Sequence, residues 1–152
     1  MFNRAAARKP ILTEEHKERR IGFALQYLDR DVDFWNRVVF SDEKTFQSCK
    51  NGSGDVYRNI LNDMLPTTRE RFPGNNFIFQ QDNCPIHRAR IVREWIENNE
   101  IDVLDWPARS PDLNPVENFW FFLMKKINAR RIRPRRKNEL WELIVQAWHD
   151  VD

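Results

Sequence analysis

Asn76-Phe77-Ile78-Phe79-Gln80-Gln81-Asp82 is the stretch on which the reading of this chain turns: a short apolar run that ends on an acid. Such a run, bounded by polar residues, reads as a buried strand. Arg37-Val38-Val39-Phe40-Ser41-Asp42 repeats the arrangement forty residues earlier, again with an aspartate just beyond the apolar residues. If the two strands are parallel neighbours, both carboxylates leave at the C-terminal edge of the sheet, where open α/β sheets place their sites.

The flanking sequence supplies helices. Thr13 precedes Glu14 and Glu15 and can cap a helix whose apolar face is Ile21, Ala24, Leu25 and Leu28. Asp55 can cap another, with Val56, Ile60, Leu61, Met64 and Leu65 on one side and a kink or end expected at Pro66. After Asp82 the pattern predicts a helix with Ile91, Val92, Trp95 and Ile96 inward, then a third strand over Ile101 to Leu104. A proline-studded loop, Asp105 to Pro115, leads to a helix carrying Phe119, Trp120, Leu123 and Ile127. Asn138 opens the last helix, with Leu140, Trp141, Ile144, Val145 and Trp148. Trp95, Trp120, Trp141 and Trp148 all fall on these apolar faces and read as core. Strands alternating with helices predict an α/β sheet with helices on its faces. No internal repeat is visible.

Composition agrees with a globular domain. The 152 residues allow one domain with a real core; 41% are hydrophobic, and six Trp and eleven Phe bring large buried areas. Net charge is only +2, but it is unevenly placed: Lys125 to Lys137 holds eight cations and no acid, leaving 17 cations against 23 acids elsewhere. An acidic body with one basic segment points to a polyanion contact there, with a solvated helix end as the plainer alternative. Two cysteines, Cys49 and Cys84, fit no disulfide framework and indicate a reducing compartment. No apolar run approaches the roughly 20 residues that span a bilayer, and Met1 to Pro10 lacks the apolar region of a signal peptide. A soluble, intracellular protein with no membrane partner is the expectation.

A third carboxylate could join Asp42 and Asp82, and Glu117 in the first turn of a helix is the candidate. Hard cations such as Mg²⁺ prefer carboxylate oxygen, and two metals roughly 3.5–4 Å apart can stabilise the attacking and leaving oxygens of a phosphodiester displacement. The plainer alternatives stand beside this. An aspartate at a strand end is often only a turn residue, and Asn114-Pro115-Val116-Glu117 fits a helix start by itself, with Asn114 as N-cap and Glu117 as its reciprocal partner. Spacing alone leaves both readings open.

The residues around the acids resemble the mariner superfamily of cut-and-paste DNA transposases, most closely its Tc-type branch. The resemblance rests on Trp35-Asn36-Arg37-Val38-Val39-Phe40-Ser41-Asp42-Glu43-Lys44-Thr45-Phe46 and on Phe77-Ile78-Phe79-Gln80-Gln81-Asp82-Asn83 with Pro85 and His87. It closes with Trp106-Pro107-Ala108-Arg109-Ser110-Pro111-Asp112-Leu113-Asn114-Pro115-Val116-Glu117-Asn118-Phe119-Trp120. Thirty-four residues separate Asp82 from Glu117, the spacing of that branch. The resemblance runs from about Arg19 to Trp148.

It implies an RNase H-like sheet flanked by helices, with 1–30 as a helical lead-in and 31–152 as the catalytic domain. It also implies two Mg²⁺ or Mn²⁺ ions on Asp42, Asp82 and Glu117, serving hydrolysis at element ends and then strand transfer. Glu43 is expected to be a surface neighbour, and Asn83 and His87 to orient DNA or support the ligands. Lys125, Lys126, Arg130, Arg131, Arg133, Arg135, Arg136 and Lys137 are expected to meet phosphates of transposon-end and target duplex. The same basic run also reads as a nuclear-localisation signal, so the nucleus is the expected compartment. Cys84-Pro85-Ile86-His87 has zinc-like spacing, but no second pair stands nearby in sequence, so it is not read as a zinc site.

Two departures from the family pattern matter. The family carries helix-turn-helix modules ahead of the catalytic domain, and this chain begins almost at the domain, so it is not expected to find terminal repeats by sequence. Several dozen residues that supply two strands in the family are replaced at about 50–55 by Asn51-Gly52-Ser53-Gly54. The expectation is a sheet missing two strands, a three- or four-stranded remnant with a bare edge beside the Asp42 strand, and a tendency to form homodimers. An inactive or domesticated remnant that binds DNA or dimerises is the alternative to an active transposase core.

Overall fold

β1 (Val38–Phe40), β2 (Ile78–Gln80) and β3 (Asp102–Val103) form one sheet in the order β1-β2-β3, with both pairs parallel. The structure, a computed structural model, describes residues 11–43, 53–130 and 134–151. Lys44-Thr45-Phe46, Cys49, Asn51-Gly52, Arg131 and Arg133, all invoked above, lie outside the described residues. Parallel strands need crossover connections, and helices provide them. Between β1 and β2 runs α3 (Gly54–Arg71), and between β2 and β3 runs α4 (Arg90–Asn98). Before β1 stand α1 (Glu14–Gln26) and α2 (Val32–Asn36); after β3 come α5 (Pro115–Ala129) and α6 (Lys137–His149). Among the described residues the sheet has three strands, the smaller of the two sheets expected. No helix among the described residues is long and apolar enough to cross a membrane.

By chain contacts the protein divides into two units, one within Met1–Ser41 and Thr45–Ser110, the other within Asp42–Lys44 and Pro111–Asp152. In the first, the two-residue period of the strands sends neighbouring side chains to opposite faces. Phe77, Phe79 and Ile101 join Tyr57, Leu61 and Leu65 of α3 and Val92, Trp95 and Ile96 of α4 in one cluster. Val38, Leu104 and Trp106 form another, against which Phe23, Tyr27, Phe34, Trp35, Phe40 and Ile78 pack. Each fully buried phenylalanine contributes about 1.5–3 kcal/mol relative to exposure.

Several expected faces turn out differently. On α1, Ile21, Ala24, Leu25 and Leu28 are exposed, and Phe23 and Tyr27 face the core instead. The helix offered two apolar stripes, and the aromatic one found ring partners: Phe23 meets Trp106 at 5.3 Å and Tyr27 meets Phe34 at 5.6 Å. On α3, Ser53 rather than Asp55 is the N-cap, accepting the Val56 N–H at 3.4 Å. Its buried stripe is Tyr57, Leu61, Leu65 and Thr68, while Val56 and Ile60 are half exposed. Pro66 does not end this helix, which continues to Arg71. On that segment Thr68 Oγ1 donates to the Met64 carbonyl at 3.1 Å, and the Trp95 indole of α4 donates to Asn62 Oδ1 at 2.6 Å.

In the second unit α5 and α6 bury Leu123, Ile127, Leu143 and Ala147. Glu139 accepts the backbone N–H groups of Arg135 at 2.8 Å and Arg136 at 3.4 Å, fixing the start of α6. Trp141 is 65% exposed and Trp148 51%, so neither belongs to the core as the sequence led us to expect. Leu143 and Ala147, one turn apart, define the buried seam, and Trp141, two residues from Leu143, points to the other side at 100° per residue. Trp148 packs edge-on against Phe119 at 4.6 Å instead.

Candidate metal centre

Asp42 follows β1 by two residues and Asp82 follows β2 by two residues, and the strands are paired so that Phe40 stands opposite Gln80. The exit of β1 is tied to β2. Ser41 N–H donates to the Gln80 carbonyl at 3.2 Å and to Gln80 Oε1 at 3.1 Å, and Ser41 Oγ donates to the same carbonyl at 2.8 Å. Gln80 is fully buried and Ser41 partly so, which shields this clamp from much of the competition with water.

Asp82 heads a tight loop. Its Oδ1 accepts the Cys84 N–H at 2.8 Å, and His87 Nδ1 lies 2.7 Å from the same oxygen. The hydrogen bond from His87 holds the Asp82 carboxyl below its ordinary value of 3.8, and the Cys84 N–H and the charge of His87 add to this, against the opposing effect of burial. His87 is itself buried and stacks on the Tyr57 ring at 4.0 Å, while Tyr57 Oη donates to Gln81 Oε1 at 3.0 Å. α3 thus braces the loop from the side. Asn83 Nδ2 donates to the Trp106 carbonyl at 2.7 Å, fastening the loop to the segment after β3. Both residues expected to support the acids are therefore in contact with the Asp82 loop or part of it.

In the other unit Asp42 is half buried and its pKa is raised from 3.8. Burial is the largest cause, and the charge of Glu117 is next, ahead of that of Glu43; the Glu43 N–H and the Trp120 indole act the other way. Glu117 is therefore close enough to Asp42 for like-charge repulsion, the condition that an added cation relieves. Asn114 caps α5, its side chain accepting the Val116 N–H at 3.1 Å, with Pro115 in the first helical position. Asn114's own N–H donates to the Pro111 carbonyl at 3.1 Å, so the start of α5 does not need Glu117 as a reciprocal cap. Glu43 is exposed, as expected of a surface neighbour.

Of the basic residues, Lys125, Lys126, Arg135, Arg136 and Lys137 are exposed. Arg130 is committed within its unit, donating to Gln146 Oε1 at 2.7 Å and pairing with Asp150. The sequence reading missed Tyr57 and Trp120 as partners of the acids. Tyr57 is absent from the apolar face read for α3, and Trp120 reads as core. It also missed Arg19 and Arg88, which with Asn83, Asp105 and Trp106 line a polar cavity of about 450 Å³.

Carboxylate oxygen is the donor that Mg²⁺ and Mn²⁺ prefer, so Asp42 with Glu117 in one unit and Asp82 in the other each offer chemistry suited to a hard divalent cation. A family model described as a DDE superfamily endonuclease matches residues 26–140. The transposable element Tcb2 transposase of Caenorhabditis briggsae is 27% identical over 202 aligned positions, covering 99% of this chain and 73% of the relative. The Tc3 transposase of Caenorhabditis elegans is 30% identical over 189 positions, covering 93% of this chain and 56% of the relative. An alignment of 202 positions exceeds the chain's 152 residues by 50, so at least that many positions of Tcb2 have no counterpart here. The catalytic domain of Mos1 mariner transposase shares the fold, with a TM-score of 0.76 at 22% identity over 93% of this chain and 85% of that one. The family match begins at the end of α1 and reaches into α6, taking in all three strands and all three acids. Over that span the chain belongs to the DDE superfamily endonucleases, as a transposase catalytic domain of the Tc1/mariner type.

Proposed function

We propose that Asp42, Asp82 and Glu117 together hold two Mg²⁺ or Mn²⁺ ions and that the chain cleaves DNA phosphodiesters and joins strands in cut-and-paste transposition. The observation that carries this reading is the repulsion that Asp42 feels from Glu117, together with the parallel register of β1 and β2, each followed two residues on in sequence by an aspartate. Mos1 supports it from outside, since its catalytic domain has been solved with Mn and with Mg, and Mos1 itself in a paired-end complex. When bound, the cations supply activation of a water or 3′-hydroxyl and charge neutralisation at the departing oxygen.

The chain's own residues do the rest. His87 and the Cys84 N–H keep Asp82 ionised and engage its Oδ1, leaving Oδ2 as the oxygen to be offered. Asp42 carries a raised pKa, so its deprotonation is coupled to cation binding. Lys125, Lys126, Arg135, Arg136 and Lys137 neutralise backbone phosphates of transposon ends and target, with Arg131 and Arg133 from the same basic run. Arg19 and Arg88 add guanidinium groups near the Asp82 loop. A homodimer acting in the nucleus completes the proposal.

The test is Mn²⁺-dependent nicking of supercoiled plasmid, with Asp82→Asn as control. Nicking that is lost in Asp82→Asn supports the assignment, and nicking that survives it refutes the site. Salt-sensitive DNA binding without nicking would instead make the chain a DNA-binding module.

A further inference from the structure

The Cys84 thiol, unlike its backbone N–H, plays no part in the reaction proposed above, yet it stands in the loop that carries Asp82. Arg88 N–H donates to the Cys84 carbonyl at 3.1 Å, a helical turn that brings the side chains of Cys84 and His87 to the same side. Asp82 closes the group from two residues upstream. One ligand atom from each of Asp82, Cys84 and His87 lies within 4.8 Å of the others. The spacing Cys-x-x-His lacked a second pair in sequence, and the fold supplies the third donor from the loop itself.

We infer that Asp82, Cys84 and His87 form a thiophilic metal site that takes Zn²⁺, or a cation of its class, through a carboxylate oxygen, Sγ and Nδ1. Tetrahedral zinc with bonds of about 2.0–2.3 Å sets its ligand atoms roughly 3.3–3.8 Å apart. The present 2.7 Å between Asp82 Oδ1 and His87 Nδ1 needs to open by under about 1 Å to reach that spacing. The ring is already held against Tyr57 and the carboxylate by the Cys84 N–H, so much of the ordering is done before a metal arrives. Three protein ligands leave one position for water, and Asp82 is 61% exposed, so the site is open and exchangeable. Binding releases the thiol proton and any proton on Nδ1 to solvent. Mixed oxygen, nitrogen and sulfur donors favour Zn²⁺ over Mg²⁺ or Mn²⁺, which thiolate serves poorly.

Occupancy withdraws Asp82 from the hard cations of the reaction, so a thiophilic metal acts as an inhibitor; this half of the inference rests on the function proposed above. The direct test needs no catalysis. The reduced, metal-free full chain is titrated with Co²⁺ and read by absorption. One equivalent should raise a thiolate-to-cobalt charge-transfer band that Zn²⁺ then bleaches. Cys84→Ser should remove the band and weaken Co²⁺ affinity by at least about tenfold, since even outer partners of a metal ligand are worth roughly 10–100-fold. Cys49→Ser should leave the band intact. Absence of the band in the parent, its survival in Cys84→Ser, or its loss in Cys49→Ser overturns the site. The second arm compares nicking in Mn²⁺ with and without one equivalent of Zn²⁺, as a ratio within each protein. A ratio that falls about tenfold in the parent and stays level in Cys84→Ser supports inhibition. An equal ratio in both overturns it. A cobalt band without any nicking would leave the metal site standing and count against the proposed reaction alone.

Discussion

Gly54, the first residue of α3, is where this fold is most sensitive to a single methyl group. A Cβ built there would stand 3.0 Å from Ala89 Cβ and 3.0 Å from Ile91 Cγ2. Carbon atoms pack well at about 3.5–4.0 Å, so both contacts are repulsive. Neither neighbour can step aside freely. Ala89 Cβ moves only with the backbone that starts α4, and the branched Ile91 is stiff about χ1. Overpacking of this kind costs about 1–3 kcal/mol. Against it stands the helix preference of Ala over Gly, about 0.8–1.0 kcal/mol in a helix interior and less at a first position. Repulsion wins, and Gly54→Ala should destabilise by about 0.5–2 kcal/mol. At roughly 2–4 °C per kcal/mol for a chain of this size, Tm falls by about 1–8 °C.

Gly22 provides the internal comparison. It lies within α1 with nothing inside 4 Å of its Cβ position, so Gly22→Ala takes the helix gain alone and should raise Tm by about 2–4 °C. The assay is thermal unfolding of the metal-free chain, followed by circular dichroism, for the parent and both variants in one buffer. A Gly54→Ala protein that melts above the parent would show that α3 and α4 do not meet as closely as described, and would refute the reasoning. Because the start of α4 follows the Asp82 loop, the same variant should lose activity beyond its loss of stability, and misplacement on the scale of 1 Å can lower a rate about 10²-fold.

Two further predictions concern charge. Asp42 has a raised pKa, so as pH rises through 3.8 the unfolded chain gives up that proton first, and native stability falls from there up through the folded value. Asp82 works in the opposite direction: its lowered pKa gives stability present above 3.8 and lost as pH falls through the folded value. Glu117→Gln removes one cause of the Asp42 shift, though not burial, the largest. The metal-free variant should melt above the parent at neutral pH and converge with it below the ordinary carboxylate range, as a Tm-versus-pH series would reveal; a lower Tm at neutral pH would contradict the repulsion. At the basic segment, Arg135→Gln, Arg136→Gln and Lys137→Gln combined should flatten the dependence of log K on log salt by up to about 2.7 units, at roughly 0.9 per phosphate contact. Duplex binding measured from low to moderate salt checks this, and an unchanged slope would remove these residues from the DNA surface.

How much of this was legible beforehand follows from the range of the forces involved. The strands were readable because each is a local apolar run, and the α5 start was readable because Asn114-Pro115 is a local capping signal. The faces of α1, α3 and α6 were harder, since each helix carries more than one apolar stripe. Phe23 and Tyr27 displaced Ile21 and Leu25 only because Trp106 and Phe34 lie across from them. Trp141 and Trp148 were assigned inward by hydropathy, but the seam between α5 and α6 is filled by Leu123, Ile127, Leu143 and Ala147.

Taken alone, the order of residues determined the α/β alternation and the transposase ancestry, because strand runs, caps and long motifs are written in contiguous residues. Tertiary structure alone decided which residues serve the acids. Tyr57 lies 25 positions before Asp82 and braces His87 through a ring stack. Glu117 lies 75 positions after Asp42 and still raises its pKa. Such contacts depend on where two distant segments are brought by packing, and no local periodicity encodes that.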